Sequence, residues 1–368
     1  MQTSQIQNPN PLYDIIILGA SGFTGKYVVK EALKFLNTPS SPLKTLALAG
    51  RSHEKLTKTL QWAAHPSSPP PDVSIIIADT TDPASLLSLC NKTKLLLNCV
   101  GPYRIHGEPV VAACASSGQW VAPAVPNHVT AYVSLESDKK IVGNFATYES
   151  AVLAAANMHE LQELRRSRPR KPTLVIPGPP PPEGPIIEYQ EKIGLRAVKL
   201  PSADAIVVQR TLVTLMENPC GLPGINESPE HTEKREAYWL SVKPAHFGVK
   251  IASKSLLGIY RIIGVGIFIG LLSRISFGSD STLASEGNSK PDMQIITRVM
   301  GPEIGYVTTP ISLIQCALIV LSQRENLPKG GIYTPGIVFG PDLQERLQEN
   351  GVSFDLVSKT ALRAPTAA

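Results

Sequence analysis

The apolar residues near the start of the chain fall in short unbroken runs rather than in alternation. Asp14 to Leu18 (DIIIL) has a β-branched centre and ends at Gly19. A strand buried on both faces shows no polar side, so such a run predicts a central strand of a parallel sheet. After a loop from Gly19 to Gly25, Val28, Val29, Ala32, Leu33 and Leu36 recur at helical spacing until Asn37-Thr38-Pro39 stops the helix. The rhythm then repeats, with strands over Thr45–Ala49, Val73–Ala78 and Lys94–Val100 and helices over His53–Ala64 and Pro83–Cys90. Strands and helices alternating in this way predict an α/β fold with a Rossmann-type doubly wound parallel sheet.

Beyond Val100 the rhythm breaks. Glu108–Ser116 reads as a helix, but Gly118 through His128 is too short and too rich in proline to supply a strand, a helix and a second strand. A six-stranded sheet needs those elements, so this one is expected to be incomplete. Its far side is then covered by Thr130–Leu135, left as an open edge, or filled by another chain. Thr130–Leu135 also reads as the first strand of a mixed α/β second domain. Further on, Thr147–Arg165 reads as a helix, Pro177–Pro185 as a loop and Ala205–Met216 as strand-like. Leu256–Phe277 is strongly apolar and Ser279–Pro291 is polar. Gln294–Met300 reads as a strand, Ile311–Leu321 as an apolar helix and Leu343–Gln348 as a short helix. The expected division is a flexible N-terminus at 1–12, a nucleotide-binding domain at 13–128, and a second domain at 129–368 with an apolar segment at 255–277.

Composition narrows the function classes. With 368 residues and 43% hydrophobic content the chain can bury a core large enough for two domains. A net charge of +5 gives no electrostatic footprint for nucleic acid. The densest basic run, Arg165 to Lys171, lacks aromatic residues and reads as a solvated loop, with anionic lipid headgroups as the alternative. Cys90, Cys99, Cys114, Cys220 and Cys316 are odd in number and show no CxxC spacing. They argue against a disulfide framework and a zinc site, and predict an intracellular, reducing compartment. Met1 to Leu12 shows neither a secretory signal nor an Arg-rich transit peptide, so the protein is expected not to be secreted.

The chemistry is concentrated in Gly19-Ala20-Ser21-Gly22-Phe23-Thr24-Gly25, a G-x-x-G-x-x-G loop between a buried strand and a helix. Gly19 allows the tight turn, Gly22 lets the backbone approach a pyrophosphate, and Gly25 lets the helix pack close to the strand. The helix N-terminus then presents free N–H groups to the anion. At the end of the second strand stands Gly50-Arg51-Ser52, where an NAD site wants an acid for the ribose 2′-hydroxyl. A cation and a hydroxyl suit a 2′-phosphate, so NADP(H) is expected over NAD(H). Arg51 stacking on adenine or lying in solvent are the alternatives. Asp79 is placed to touch the adenine edge or to cap a helix. Val100, Gly101 and Pro102, with Asn98, Cys99 and Tyr103 around them, are expected to line the pyrophosphate and nicotinamide side. The candidate cofactor-binding set is therefore Gly19, Ser21, Gly22, Phe23, Thr24, Gly25, Arg51, Ser52, Asp79, Val100, Gly101 and Pro102. No catalytic residue is identified. Tyr103 and His106 are the proton donors nearest the nicotinamide side, but neither sits in a Tyr-x-x-x-Lys or Ser-His pattern, and both equally suit the crevice wall.

Ile262 to Leu272 (IIGVGIFIGLL) is apolar throughout, flanked by Arg261 and Arg274 with Lys250 and Lys254 upstream. As a helix it would reach about 16 Å, half of a bilayer core. It suits a monotopic segment lying in the headgroup boundary, or a buried helix in which Gly266 and Gly270 allow close packing.

GASGFTG, AGR and NCVGPYRIHGEPVVAAC, followed by SLESDKKIVGNFATYESA, RRSRPRKPTLVIPGPPPPEGP, KPAHFGVKIASKSLLGI, RVMGPEIGY and KGGIYTPGIVFG, resemble the saccharopine dehydrogenase-like oxidoreductase family in its membrane-associated eukaryotic branch. The resemblance covers nearly the whole chain. It implies an oxidoreductase with a Rossmann domain and a mixed α/β second domain, associated with lipid droplets, mitochondria or other membranes, and a link to glycolipid metabolism. With the NADP(H) preference read above, a small-molecule or lipid substrate is expected. Two segments of the family pattern are absent, after Ser117-Gly118 and after Phe277-Gly278. The first would carry the strands flanking the nicotinamide. The adenine side is therefore expected to be intact, with hydride transfer weak or absent, and a homo-oligomer remains open. The competing reading is a non-catalytic nucleotide-binding or scaffold protein at a membrane surface.

Overall fold

Four apolar runs are strands of one parallel sheet. The strands are β1 (Tyr13–Leu18), β2 (Leu46–Gly50), β3 (Ser74–Ile77) and β4 (Thr93–Asn98), in the order β3-β2-β1-β4. The computed structural model describes residues 11–64, 72–101, 106, 110, 128–134, 163, 166–167, 185–199, 204–240, 246–260, 293–328 and 330–361. Helices α1 (Phe23–Leu33), α2 (His53–Ala63) and α3 (Pro83–Cys90) alternate with the strands.

The unbroken apolar character of β1 has a direct cause. Ile15 and Ile17 enter the core with Val28, Val29, Leu56 and Leu97, while Ile16 and Leu18 enter a second core with Leu86, Leu89 and Val110. Successive side chains point to opposite faces, and here both faces are covered.

The chain forms two compact units. One comprises residues 1–122, 222–235 and 293–361, the other 123–221, 236–292 and 362–368. The division expected at 128/129 differs from these units, in which residues 222–235 and 293–361 group with the N-terminal part. Helix α6 (Thr309–Ser322) explains why. Its Ile314, Ala317 and Leu318 are buried in the same core as Ile15, Ile17 and Val28. Residues Gly305–Ser322 are long and apolar enough to cross a membrane by length and composition, yet that apolarity is used inside this core. The same unit carries an antiparallel pair, β9 (Met293–Met300) with β10 (Ser353–Ala361), and the short helices α7 (Pro335–Val338) and α8 (Gly340–Glu349).

The second unit holds a mixed sheet of β5 (His128–Val133), β6 (Ile187–Gln190), β7 (Leu195–Lys199) and β8 (His246–Ser253), in the order β5-β8-β7-β6. Strand β5 pairs with β8, parallel, so the strand expected from Thr130 is a strand of this second sheet and not of the first. Among the described residues that sheet ends at β4.

Ala205–Met216, expected to be strand-like, is helix α4 (Asp204–Glu217). Its β-branched Ile206, Val207 and Val208 suit a strand locally, but Leu212 is buried at helical spacing and packing overrides propensity. Helix α5 (Pro229–Leu240) follows it. The helices expected over Glu108–Ser116 and Thr147–Arg165 lie largely outside the described residues, although His106, Val110 and Glu163 are helical. Most of the 177–185 loop, the 279–291 stretch and the whole 262–272 run also lie outside them.

Asp14 fastens the start of the sheet. One carboxylate oxygen accepts the backbone N–H groups of Lys44 (2.7 Å) and Thr45 (2.9 Å), and the other pairs with Lys94 at 2.7 Å. Burial pushes its pKa up, but these hydrogen bonds outweigh burial and hold it below the usual carboxylate range. A carboxylate depressed in the folded state adds stability above its ordinary pKa and loses it as pH falls through the depressed value. Asp14→Asn should therefore cost about 1–3 kcal/mol at neutral pH. Urea unfolding across pH should show the gap between the two proteins closing below pH ~4. A gap independent of pH would assign the effect to packing instead.

Candidate dinucleotide-binding site

The loop after β1 is closed by backbone contacts that only glycine permits. Gly19 has φ +78°, and a side chain there would meet the Cγ2 of Val100 at 2.7 Å and the carbonyl carbon of Cys99 at 3.0 Å. A β-carbon on Gly25 would lie 2.2 Å from the carbonyl oxygen of Gly19. The Gly22 N–H closes the turn onto that same oxygen at 2.9 Å. Gly22 then caps α1 with no side-chain hydrogen bond, so the helix N-terminus is left open at an exposed Gly22-Phe23 step. Unsatisfied N–H groups with a positive dipole end attract a phosphate. Half-buried Ser21 puts its hydroxyl beside Gly50 at the end of β2, and Thr24 sits in the first turn of α1.

The neighbouring strand ends supply charge. Arg51 is exposed directly after β2. Ser52 caps α2 by accepting the Lys55 N–H at 3.4 Å, which leaves its O–H as a donor. Asp79 does not cap α3. That role belongs to Asp82, whose carboxylate accepts the Ala84 N–H at 3.0 Å, so the helix-cap alternative for Asp79 is withdrawn. Asp79 instead accepts both the N–H and the hydroxyl of Thr81, at 2.9 Å each. These bonds, with the charges of Arg51 and His106 behind them, hold its carboxyl below the usual range. The acid and the cation expected at the adenine-ribose end are thus within electrostatic reach of each other.

Across the crevice Val100 covers Gly19, and its N–H is held by the Asn98 side chain at 3.0 Å. A side chain on Gly101 would meet nothing within 4 Å, so open space lies beside it. Burial pushes the Cys99 thiol up to about 12, which removes it as a thiolate nucleophile. Pro102 and Tyr103 lie outside the described residues. His106 is fixed by a 2.9 Å hydrogen bond between its Nδ1 and Thr80 Oγ1. Thr80 carried no motif signal, and neither did the packing of Phe23 on Tyr306, whose ring centroids are 4.5 Å apart. The residues therefore fit a dinucleotide at the adenine and pyrophosphate end, with the glycine closure and open helix terminus at the switch point between β1 and β4 and the exposed cation at the end of the adjacent strand β2.

The family model described as the saccharopine dehydrogenase NADP binding domain matches residues 15–169. An Arabidopsis thaliana protein named "Probable mitochondrial saccharopine dehydrogenase-like oxidoreductase" is 54% identical, over 96% of this chain and 98% of its own. A Bos taurus saccharopine dehydrogenase-like oxidoreductase is 30% identical over 95% of this chain and 98% of its own. A Caenorhabditis elegans "Lipid droplet localized protein" is 24% identical over 94% of this chain and 99% of its own. The Arabidopsis alignment runs over 446 positions, more than the 368 residues here, so that relative carries internal residues with no counterpart in this chain.

Proposed function

The chain belongs to the saccharopine dehydrogenase-like oxidoreductase family, its N-terminal part is the NADP-binding domain of that family, and from this premise we propose a division of labour among its residues. Gly19, Ser21, Gly22, Phe23, Thr24 and Gly25 hold the pyrophosphate through backbone N–H groups. Arg51 and Ser52 take the 2′-phosphate, and Asp79 meets the adenine edge. Val100, Gly101 and Pro102 form the wall toward the nicotinamide. When bound, NADP(H) supplies the hydride chemistry. The observation that carries this reading is the glycine closure, in which any side chain at Gly25 would strike the Gly19 carbonyl.

The finer reading is a protein seated on a lipid-droplet or mitochondrial membrane, acting on a lipid or lipid-derived small molecule, with glycolipid metabolism as its setting. The names of the Arabidopsis and Caenorhabditis relatives support it, as does the short cation-flanked apolar run at 262–272. A second reading, nucleotide binding without turnover, is favoured by the internal residues that the Arabidopsis relative has and this chain lacks.

Titration of the purified protein should show tighter binding of NADPH than NADH, with little NADPH oxidation across carbonyl and enoyl substrates. Equal affinities would sink the cofactor assignment, and brisk NADPH oxidation would overturn the non-catalytic reading. The protein should also float with anionic liposomes and be only partly released by salt. Replacing Ile267, Phe268 and Ile269 by serine should abolish that flotation if the run is its anchor.

A further inference from the structure

Four aromatic rings gather on the outside of the first unit, in residues that the cofactor does not need for their side chains. Phe23 and Tyr27 lie one helical turn apart on α1, at a ring-centroid distance of 5.6 Å. Tyr27 meets Trp62 of α2 at 5.2 Å and Tyr306 at 5.5 Å. The cluster is not a core, for Phe23 remains 41% and Trp62 45% exposed. Two ammonium groups are fixed on it. The Lys26 Nζ lies 4.7, 5.2 and 4.9 Å from the centroids of Phe23, Tyr27 and Trp62, and the Lys30 Nζ lies 5.4 Å from that of Trp62. The acid beside Tyr306, Glu303, directs both oxygens to the backbone N–H groups of Gly305 and Tyr306.

We propose that this aromatic–lysine patch is a second lipid-contact surface, which docks on phospholipid membranes bearing net negative charge. It shares the membrane partner of the preceding reading but not the 262–272 segment. Rings with an apolar body and polar tips suit the boundary between water and acyl chains. Lysines beside them attract anionic headgroups. A symmetric second copy fits poorly, because an isologous contact would set Lys26 and Lys30 against like charges. Nucleic acid fits poorly too, since Lys26 already covers the ring faces on which bases would stack. Docking at Phe23 would bring the membrane to the first residue of α1, next to Gly22 of the phosphate loop, so a lipophilic substrate would arrive beside the cofactor.

The test is flotation of the full chain with phosphatidylcholine vesicles containing about one-third phosphatidylserine. Each surface lysine is worth about fivefold in partitioning, so K26Q/K30Q should weaken binding roughly 25-fold, with much less effect on pure phosphatidylcholine. Trp62→Ala should weaken binding to both vesicle types. In a second readout, brominated lipids should quench the wild-type fluorescence but not the emission that remains in Trp62→Phe. Unchanged flotation of K26Q/K30Q while the serine variant at 267–269 falls off would overturn the patch and leave the segment standing. The converse pattern would support the patch and remove the segment. Wild-type protein that never floats would reject both. A dimer lost on mutation, or vesicle binding displaced by polyuridylate, would also overturn the proposal.

Discussion

Gly25→Ala is expected to abolish NADPH binding and to loosen the first unit at the same time. The added carbon would lie 2.2 Å from the Gly19 carbonyl oxygen and 2.9 Å from the Ala20 Cα, all backbone atoms. No rotamer relieves such a contact, so α1 must move away from β1 or the Gly19–Gly22 turn must open. Overpacking of this kind costs about 1–3 kcal/mol. Opening the turn also misaligns the N–H groups that face the pyrophosphate. Losing two charge-assisted hydrogen bonds, each worth about 1.5–3 kcal/mol, weakens binding by about a hundredfold or more. Thermal melting should fall and the fluorescence titration with NADPH should flatten. A protein that melts and binds like wild type would show that this loop is an ordinary turn.

The second large effect is at Arg51. Arg51→Asp should weaken NADPH binding by about 10- to 150-fold, the equivalent of one lost bidentate charge-assisted contact. NADH, which has no 2′-phosphate, should be held as well as before or better. The new carboxylate would stand near Asp79, whose lowered pKa already reflects the Arg51 charge, so some of the loss is repulsion. Arg51→Lys separates the two contributions, because it keeps the charge and gives up the planar fork. The measurement is the ratio of NADPH to NADH affinity for each protein. A ratio unmoved by Arg51→Asp would place Arg51 in solvent or on the adenine ring.

The nucleotide-binding half was legible because its signals are local. An unbroken apolar run needs only cover on both faces, and three glycines at fixed spacing need only a strand before and a helix after. The features that were not legible depend on partners far along the chain. Ile206, Val207 and Val208 suggest a strand until Leu212 is seen buried one helical turn later. The parallel pairing of His128–Val133 with His246–Ile251 joins stretches whose own patterns are unremarkable. Asp79 and Asp82 are alike in the sequence, and only the Ala84 N–H bound by Asp82 tells the cap from the site acid. The rings of Tyr27, Trp62 and Tyr306 belong to three separate elements, so no spacing rule could have joined them.

The return of α6 to the sheet also governs the order in which this protein can be made. Strands β1 to β4 are all present in the nascent chain by residue 98, but the core that Ile314, Ala317 and Leu318 join is not fully packed until those residues are synthesised. At ribosomal rates of 5–20 residues per second that is a delay of roughly 10–40 s. During that interval α1 and α2 already lie on the face, and what waits is the part of the core that only the late helix fills, so the N-terminal region emerges with its packing unfinished.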